Sequence, residues 1–444
     1  MVVKRTQTKR KAEVIAPSSG AVEKPHSGVK SLLWKLGPGL ITGAADDDPS
    51  GIATYSQVGA QFGNGMLWTM VFSFPLMAAI QEISARIGRV SGIGIAGNLR
   101  RHYPRPYLYG IVILLLVANI FNIGADIEAM GAAARLLIPG PASLFAAIAG
   151  CASLLLQIFV PYKSYVKYLK WLTVALFAYV ATALYLHQPN WEAIRATFTP
   201  DLSLRGASLT ALIAILGTTI SPYLFFWQAS EEVEDVTLNA RENPLKNSPQ
   251  EAPRQLERIK VDTYFGMAFS NLVAFFIILT AAATLHAHGI GDIQTADQAA
   301  QALKPLAGRF AYFLFAVGIV GTGLLAVPVL AGSAAYSVGE AFQWTASLEK
   351  KPKHAMPFYA TIGVATLIGL LLNFLHRNPI RALFWSAVLN GIVAGPVMIF
   401  MMLMARNPRV MGQFTLPAYL RAAGWLATAV MIFTSLGMLL TIHR

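Results

Sequence analysis

Charged side chains are scarce in this chain. They make up 13% of 444 residues, against 55% hydrophobic, where soluble domains carry about 25% charged residues. That shortage excludes an ordinary water-soluble globule, and repeated apolar runs of about 20 residues place the chain in a bilayer. Cysteine is nearly missing. The single Cys151 excludes an intramolecular disulfide framework and any CxxC metal site. Nucleophile triads, nucleotide loops and zinc-hydrolase motifs are missing too, so neither an enzyme nor a cofactor is expected. The formal net charge of +13 would suit nucleic acid. The basic residues, however, sit in short links between apolar runs and in the N-terminal tail, where they set membrane orientation; nucleic-acid binding is not expected.

What is there is a series of eleven apolar segments, at about 33–60, 65–88, 106–134, 141–162, 166–187, 207–235, 260–286, 308–338, 357–376, 380–404 and 419–442. Residues 1–30 read as a disordered basic tail, with Lys4, Arg5, Lys9, Arg10 and Lys11 solvated or touching anionic lipid. The remaining 31–444 read as one transmembrane domain. Every second link is basic: Arg89, Arg100, Arg101 and Arg105; Lys163, Lys167 and Lys170; Arg254, Arg258 and Lys260; Lys350, Lys351 and Lys353; Arg406 and Arg409. The others, with Arg135 or with Arg195 and Arg205, are poorer. The basic links share the side of the N-terminus, which should be cytoplasmic, and an odd count puts His443-Arg444 outside. Trp34, Trp68 and Trp191 read as interface anchors. His286 and His288 read as loop histidines, without a partner at ligand spacing. The run Glu231-Glu232-Val233-Glu234-Asp235 reads as a solvated helix end rather than a second metal site.

The first and sixth segments are interrupted. In GPGLITGAADDDPSGIATYSQVGAQFG, residues 37–63, three carboxylates precede Pro49, Ser50 and Gly51. In LGTTISPYLFFWQ, residues 216–228, Pro222 follows two threonines and Ser221. Proline removes a donor and clashes with the preceding turn, and in lipid the freed backbone groups must find protein, water or an ion. Pro75, Pro328 and Pro396 need be no more than kinks. Asp48 differs, because a carboxylate at that depth is a functional candidate. Each break opens a block of five segments, and an odd number inverts the second block on the first. This is the layout of an inverted-repeat transporter with its substrate between the breaks, with repeat one at 33–187, repeat two at 207–404 and an extra helix at 419–442.

The chain resembles the Nramp family of divalent-metal transporters, of LeuT-type fold. GPGLITGAADDDPSG is similar to the family's first-helix segment, QEISARIGRVSG (81–92) to its second-helix ending, DIEAMG (126–131) to its third helix, VDTYFGMAFSNLVAFFIILTAAA (261–283) to its seventh and RVMGQF (409–414) to the link after its tenth. The departures fall on the site. The family's Asp-Pro-Gly-Asn is here Asp48-Pro49-Ser50-Gly51; its Met-Pro-His is Ser221-Pro222-Tyr223; its tenth-helix Ser-Gln-Val is Ser386-Ala387-Val388; Ala125 replaces one third-helix acid. The pattern marks a divergent branch, similar to Nramp-related magnesium transporters.

Carried over by position, the resemblance implies a metal site of the Asp48 carboxylate, the backbone carbonyls near Ala45 and Thr218, and Ser221, with Asp47 as a further candidate. These are all oxygen donors, which suit Mg²⁺ and Mn²⁺ more than a site with methionine sulfur does; Fe²⁺ is less favoured. Loss of side chains at Gly51 and Ala387 should leave room for a partly hydrated ion. Either one of Asp46 and Asp47 lines the approach and attracts cations, or one or both are protonated or hydrogen-bonded structural residues. Proton coupling, which the resemblance implies through a histidine and third-helix acids, should be weak or absent with Tyr223 at the histidine position. Glu128 and Asp126 are the remaining candidates, Glu128 carrying protons or pairing with Arg135. The resemblance also places the chain in a bacterial plasma membrane. A LeuT-type carrier of an organic solute and a non-transporting metal-binding receptor remain as alternatives.

Overall fold

The computed structural model describes residues 38–160, 164, 172–200, 206–239, 242–372 and 378–442. The tail 1–30, Trp34, Lys163, Lys167, Lys170, Arg205 and His443-Arg444 lie outside the described residues. Among these residues every regular element is helical. Eight spans are long and apolar enough to cross a membrane. The other three expected segments are the broken first one, the helix around 174–185 and Met356–Leu372. Large apolar side chains such as Ile113, Leu155, Phe433 and Leu440 are exposed on the outside, as on a surface whose solvent is lipid. The chain is a multi-pass membrane protein.

The two broken segments use one backbone device. In the first, α1 (Pro38–Asp46) is separated from α2 (Pro49–Phe62). In the sixth, α9 (Gly206–Thr219) is separated from α10 (Pro222–Leu238). Between them in the chain come α3 (Trp68–Ser91), α4 (Ile95–His102), α5 (Arg105–Arg135), α6 (Ala142–Phe159), α7 (Phe177–Tyr185) and α8 (Trp191–Phe198). A residue before proline is pushed out of the helical region, and Asp48 and Ser221 are both extended, with ψ of 169° and 127°. Proline then opens the second half at its first position, where its missing N–H costs nothing.

The second block follows as α11 (Ala252–Thr284), α12 (Ala296–Ala300), α13 (Ala311–Phe342), α14 (Met356–Leu372) and α15 (Pro379–Arg406), with α16 (Ala418–Ile442) last. Both halves of the first segment pack on α11, the seventh, and the sixth packs on α3, the second, while α5 and α13 pack on each other. Those pairings are what a two-fold axis relating two five-segment blocks requires. The fold is therefore a 5+5 inverted repeat with discontinuous first and sixth helices. Glycine permits a close approach at each of the two broken segments. A Cβ on Gly43 would stand 2.3 Å from the Gly266 carbonyl oxygen in α11, and one on Gly217 would stand 2.0 Å from that of Ala387 in α15.

The described basic links at Arg89–Arg105, 242–260 and Arg406–Arg409 gather on one face. Leu245 N donates to the Arg89 carbonyl, Lys246 Nζ to that of Arg409 and Arg100 Nη1 to that of Ala341. The start of α1 reaches the same face, where Gly39 N donates to Asp262 Oδ2 at 2.7 Å. Two surface expectations fail. Trp68 is buried, because α8 lies over the start of α3, so of the expected anchors Trp68 and Trp191 only Trp191 is exposed. The acidic run 231–235 does not face water: Glu231, Glu232 and Glu234 are buried. Glu232 pairs with Arg258 and lies 3.9 Å from Arg89, and Glu234 accepts from Tyr336 and Ser347. Side chains from α3, α11 and α13 reach this end of α10, and Arg89 and Arg258 supply Glu232 with the partners that make its burial tolerable.

Candidate metal site at the two helix breaks

Asp48 occupies the N-cap of α2. Its Oδ1 accepts from Gly51 N and from Ser50 Oγ, both at 2.7 Å. A side chain that caps a helix satisfies an orphan N–H and places its negative charge at the positive end of the dipole. Its Oδ2 accepts from Asn122 Nδ2 at 3.2 Å and lies 3.3 Å from the Tyr223 hydroxyl. Four protein donors thus surround one carboxylate that is 1% exposed.

Tyr223 joins the breaks. Its hydroxyl lies 3.2 Å from the Ala45 carbonyl and shares its one proton between that oxygen and Asp48. Ser221 Oγ stands 2.9 Å from the carbonyl oxygens of both Gly217 and Thr218. Of the expected donors, Asp48 and the Ala45 carbonyl are brought together, and Tyr223 meets them directly instead of lying on a separate path. The Ser221 hydroxyl and the Thr218 carbonyl are bonded to each other. Asp47 turns away, with Oδ1 3.1 Å from Ser270 Oγ on α11. Asp126 is fully buried near Asp48 and the Ser50 backbone. Glu128, also buried, is about 200° further round the helix, so the two acids serve different faces.

The room expected at Gly51 is taken. A Cβ there would meet Thr218 Oγ1 at 3.2 Å, the Asp46 carbonyl oxygen at 3.3 Å and Tyr55 Cε2 at 3.4 Å. These neighbours occupy the space that a larger residue would need. A cavity of about 10 Å³, roughly one water, lies further along α2 between Ile52, Ser56, Ala129, Ala299 and Leu383.

Both approaches are shut. Toward the face with the basic links, Gln81 Nε2 donates to Gln228 Oε1 at 2.6 Å, Gln228 Nε2 to Thr263 Oγ1 at 2.9 Å and Ser84 Oγ to the Phe225 carbonyl at 2.5 Å. Toward the other face, Ile293 N donates to Gln57 Oε1 at 2.8 Å, and Arg381 pairs with Asp292 at 3.1 Å. His286 Nδ1 bonds the Ala60 carbonyl at 2.8 Å, tying its loop to α2. Among the described residues no three His, Cys, Asp or Glu side chains form a ligand cluster. A cation here would rely on mixed oxygens.

Sequence reasoning missed Asn122. The signal was available: Asn119, Asn122 and Asp126 recur at helical spacing on one face of an otherwise apolar run. Gln81 and Gln228, a buried amide pair, carried no comparable periodic mark.

The family described as natural resistance-associated macrophage protein-like, Nramp, matches residues 39–441. A divalent metal cation transporter of Klebsiella pneumoniae is 25% identical over 414 residues, covering 91% of this chain and 93% of that one. The protein of the same description from Yersinia enterocolitica is 27% identical, covering 92% and 95%. Among solved structures, a manganese transporter of Eremococcus coleocola superposes with a TM-score of 0.74 at 18% identity, over 94% of this chain and 88% of that one. Mhp1, a nucleobase-cation-symport-1 family transporter, superposes at 0.56 with 14% identity, over 92% and 91%.

Proposed function

The chain belongs to the Nramp family, and on that premise we propose that it imports divalent metal cations by alternating access, the ion being held between the two breaks. The observation that carries this reading is Asp48. It is a buried carboxylate at the junction of two broken helices, beside the Ala45 carbonyl and across from Tyr223. Its four protein donors mark the directions in which ion ligation would have to replace hydrogen bonds. Alternating access is supported by the closure of both approaches, each by a few hydrogen bonds that could open separately.

The donor set is oxygen only, with Ser221 and the Thr218 carbonyl available once their mutual bond opens. Such a set suits Mn²⁺ and Mg²⁺, and accepts Fe²⁺ less well. Proton coupling is weak or absent, since no histidine lies at the second break and Tyr223 is a poor proton carrier near neutral pH; Glu128 and Asp126 remain the groups that could move a proton. The face with the basic links is cytoplasmic, the C-terminus external, and the membrane a bacterial plasma membrane. The described helices form one transporter domain.

Reconstitution in liposomes tests this, with Mg²⁺ and Mn²⁺ uptake measured side by side and Asp48→Ala as control. Uptake of both, mutually competing and lost in the variant, is expected. Absence of saturable uptake would leave a metal-binding receptor instead. Proton influx stoichiometric with metal would remove the uncoupled reading.

A further inference from the structure

Asp46 and Asp47 remain outside the site just described, and their surroundings are opposite to those of Asp48. Asp48 begins a helix; Asp46 ends one. At the C-terminus of α1 the free carbonyls concentrate negative charge, so carboxylates there add like to like. Asp48 has four donors. Asp46 and Asp47 have one between them: Ser270 Oγ lies 2.5 Å from Asp46 Oδ2 and 3.1 Å from Asp47 Oδ1. A serine hydroxyl carries one proton, so it can satisfy only one of these contacts. At the other, oxygen faces oxygen.

The remaining oxygens, Asp46 Oδ1 and Asp47 Oδ2, are buried without a hydrogen-bond partner. Neither residue is more than 1% exposed. Unpaired carboxylate at such depth is costly, and among the described residues no Lys, Arg or His forms an ion pair with either. A separate side chain points the same way. Tyr55, fully buried one turn into α2 beyond Gly51, sets its ring edge against Gly51 where the Asp46 carbonyl oxygen also stands, and its hydroxyl is buried without a hydrogen bond of ordinary geometry.

Two carboxylates, two hydroxyls and a helix C-terminus, with oxygens left over, are the makings of a hard-cation site. We propose that Asp46, Asp47 and Ser270 form a second divalent-cation subsite beside Asp48, with Tyr55 facing it. This rests on the reading of Asp48 as the first. Two adjacent subsites would make the ions repel, so that arrival of one weakens the hold on the other, the device by which multi-site pathways combine capture with release.

The test is a count of bound Mn²⁺ on the full-length protein in lipid nanodiscs, by equilibrium binding with electron paramagnetic resonance of the bound ions. Wild type should hold two Mn²⁺ at saturation, with spectra broadened by mutual coupling. Asp46→Asn and Ser270→Ala should each reduce the count to one and remove the broadening. Asp46→Glu should keep two. One Mn²⁺ in wild type, or a count unchanged in Asp46→Asn, overturns the subsite and leaves protons on these carboxylates, with the function at Asp48 intact. No bound Mn²⁺ at all overturns the proposed function as well. The wild-type count decides even if a variant fails to fold.

Discussion

Two acidic runs lie on the two broken segments, Asp46 to Asp48 at the first break and Glu231 to Asp235 at the far end of α10. Read as sequence, one promised function and the other a solvated helix end. In the structure both are buried, so burial does not distinguish them. What does is how their oxygens are satisfied. Glu232 has the fixed cations Arg258 and Arg89, and Glu234 has a hydroxyl on each oxygen, from Tyr336 and Ser347, whereas Asp46 and Asp47 each keep an oxygen without a partner. At the first break the donors are neutral, and among the described residues no arginine or lysine pairs with a carboxylate there. A buried acid with its own arginine is finished as a structural element. Buried acids with oxygens left over and no arginine are where a mobile cation can complete the charge balance.

The largest effect should come from making the first run neutral. Asp48→Ala removes the one carboxylate at the junction of the breaks, and uptake should fall by at least about 100-fold, the equivalent of about 3 kcal/mol of lost ligation. The lost N-cap costs only about 1 kcal/mol of helix stability, so the variant should still be folded by size-exclusion chromatography. Asp48→Asn, which keeps a capping acceptor, separates the two roles. It should fold like wild type and still fail to transport. The same neutralisation in the second run should do the reverse. Glu232→Ala leaves Arg258 and Arg89 without their shared partner, and breaking a buried pair costs about 3–5 kcal/mol. Thermal unfolding in detergent should show a large loss of stability while the affinity for Mn²⁺ in the folded fraction is unchanged. If Glu232→Ala instead abolished ion binding without destabilising the protein, the distinction between the two runs would collapse.

The second break offers a finer test, because it carries no charge to remove. Ser221→Met adds a sulfur donor to an oxygen set. Softer ions should gain, and discrimination of Mn²⁺ over Mg²⁺ in competition uptake should rise by about tenfold, roughly 1.4 kcal/mol. An unchanged ratio would mean that Ser221, held against the Gly217 and Thr218 carbonyls, never turns toward the ion.

How much of this was legible follows from what each signal depends on. The breaks were readable because proline acts locally: it fixes its own φ, restricts the residue before it and needs no tertiary context. The inverted layout was readable from an odd number of segments per block and from basic residues in alternate links. The partners of Asp48 were only half readable. Asn122 lies 74 residues away and Tyr223 lies 175, and only packing of α5 and α10 around the first break brings them together. Tyr223 was noticed because it stands at a family histidine, and its place at the Asp48 carboxylate could not follow from that. The expected room at Gly51 failed for the same reason. A missing side chain is visible in sequence, whereas the closeness of Thr218 and Tyr55 to the gap is not. For the acidic run on α10 the misreading was one of composition, since charge runs usually face water and nothing local shows that Arg89 and Arg258 fold over it.

The smallest expected effect is also the sharpest on mechanism. In Tyr223→Phe the hydroxyl between Asp48 and the Ala45 carbonyl is removed with little change of volume. If that hydroxyl ligated the ion, affinity would fall. If it only occupies the carboxylate until the ion replaces it, the ion no longer has to break a hydrogen bond, and affinity should rise. A single net hydrogen bond is worth about 0.5–1.5 kcal/mol, so the dissociation constant for Mn²⁺ should decrease by about two- to tenfold. The closed arrangement of the breaks should loosen at the same time, because the variant loses the hydroxyl by which Tyr223 touches both. Mn²⁺ binding and protection of Asp48-region amides against hydrogen exchange therefore move in opposite directions: tighter binding, weaker protection in the ion-free protein. Weaker binding with unchanged protection would place Tyr223 among the ligands and shift the charge-free second break from closing the site to forming it.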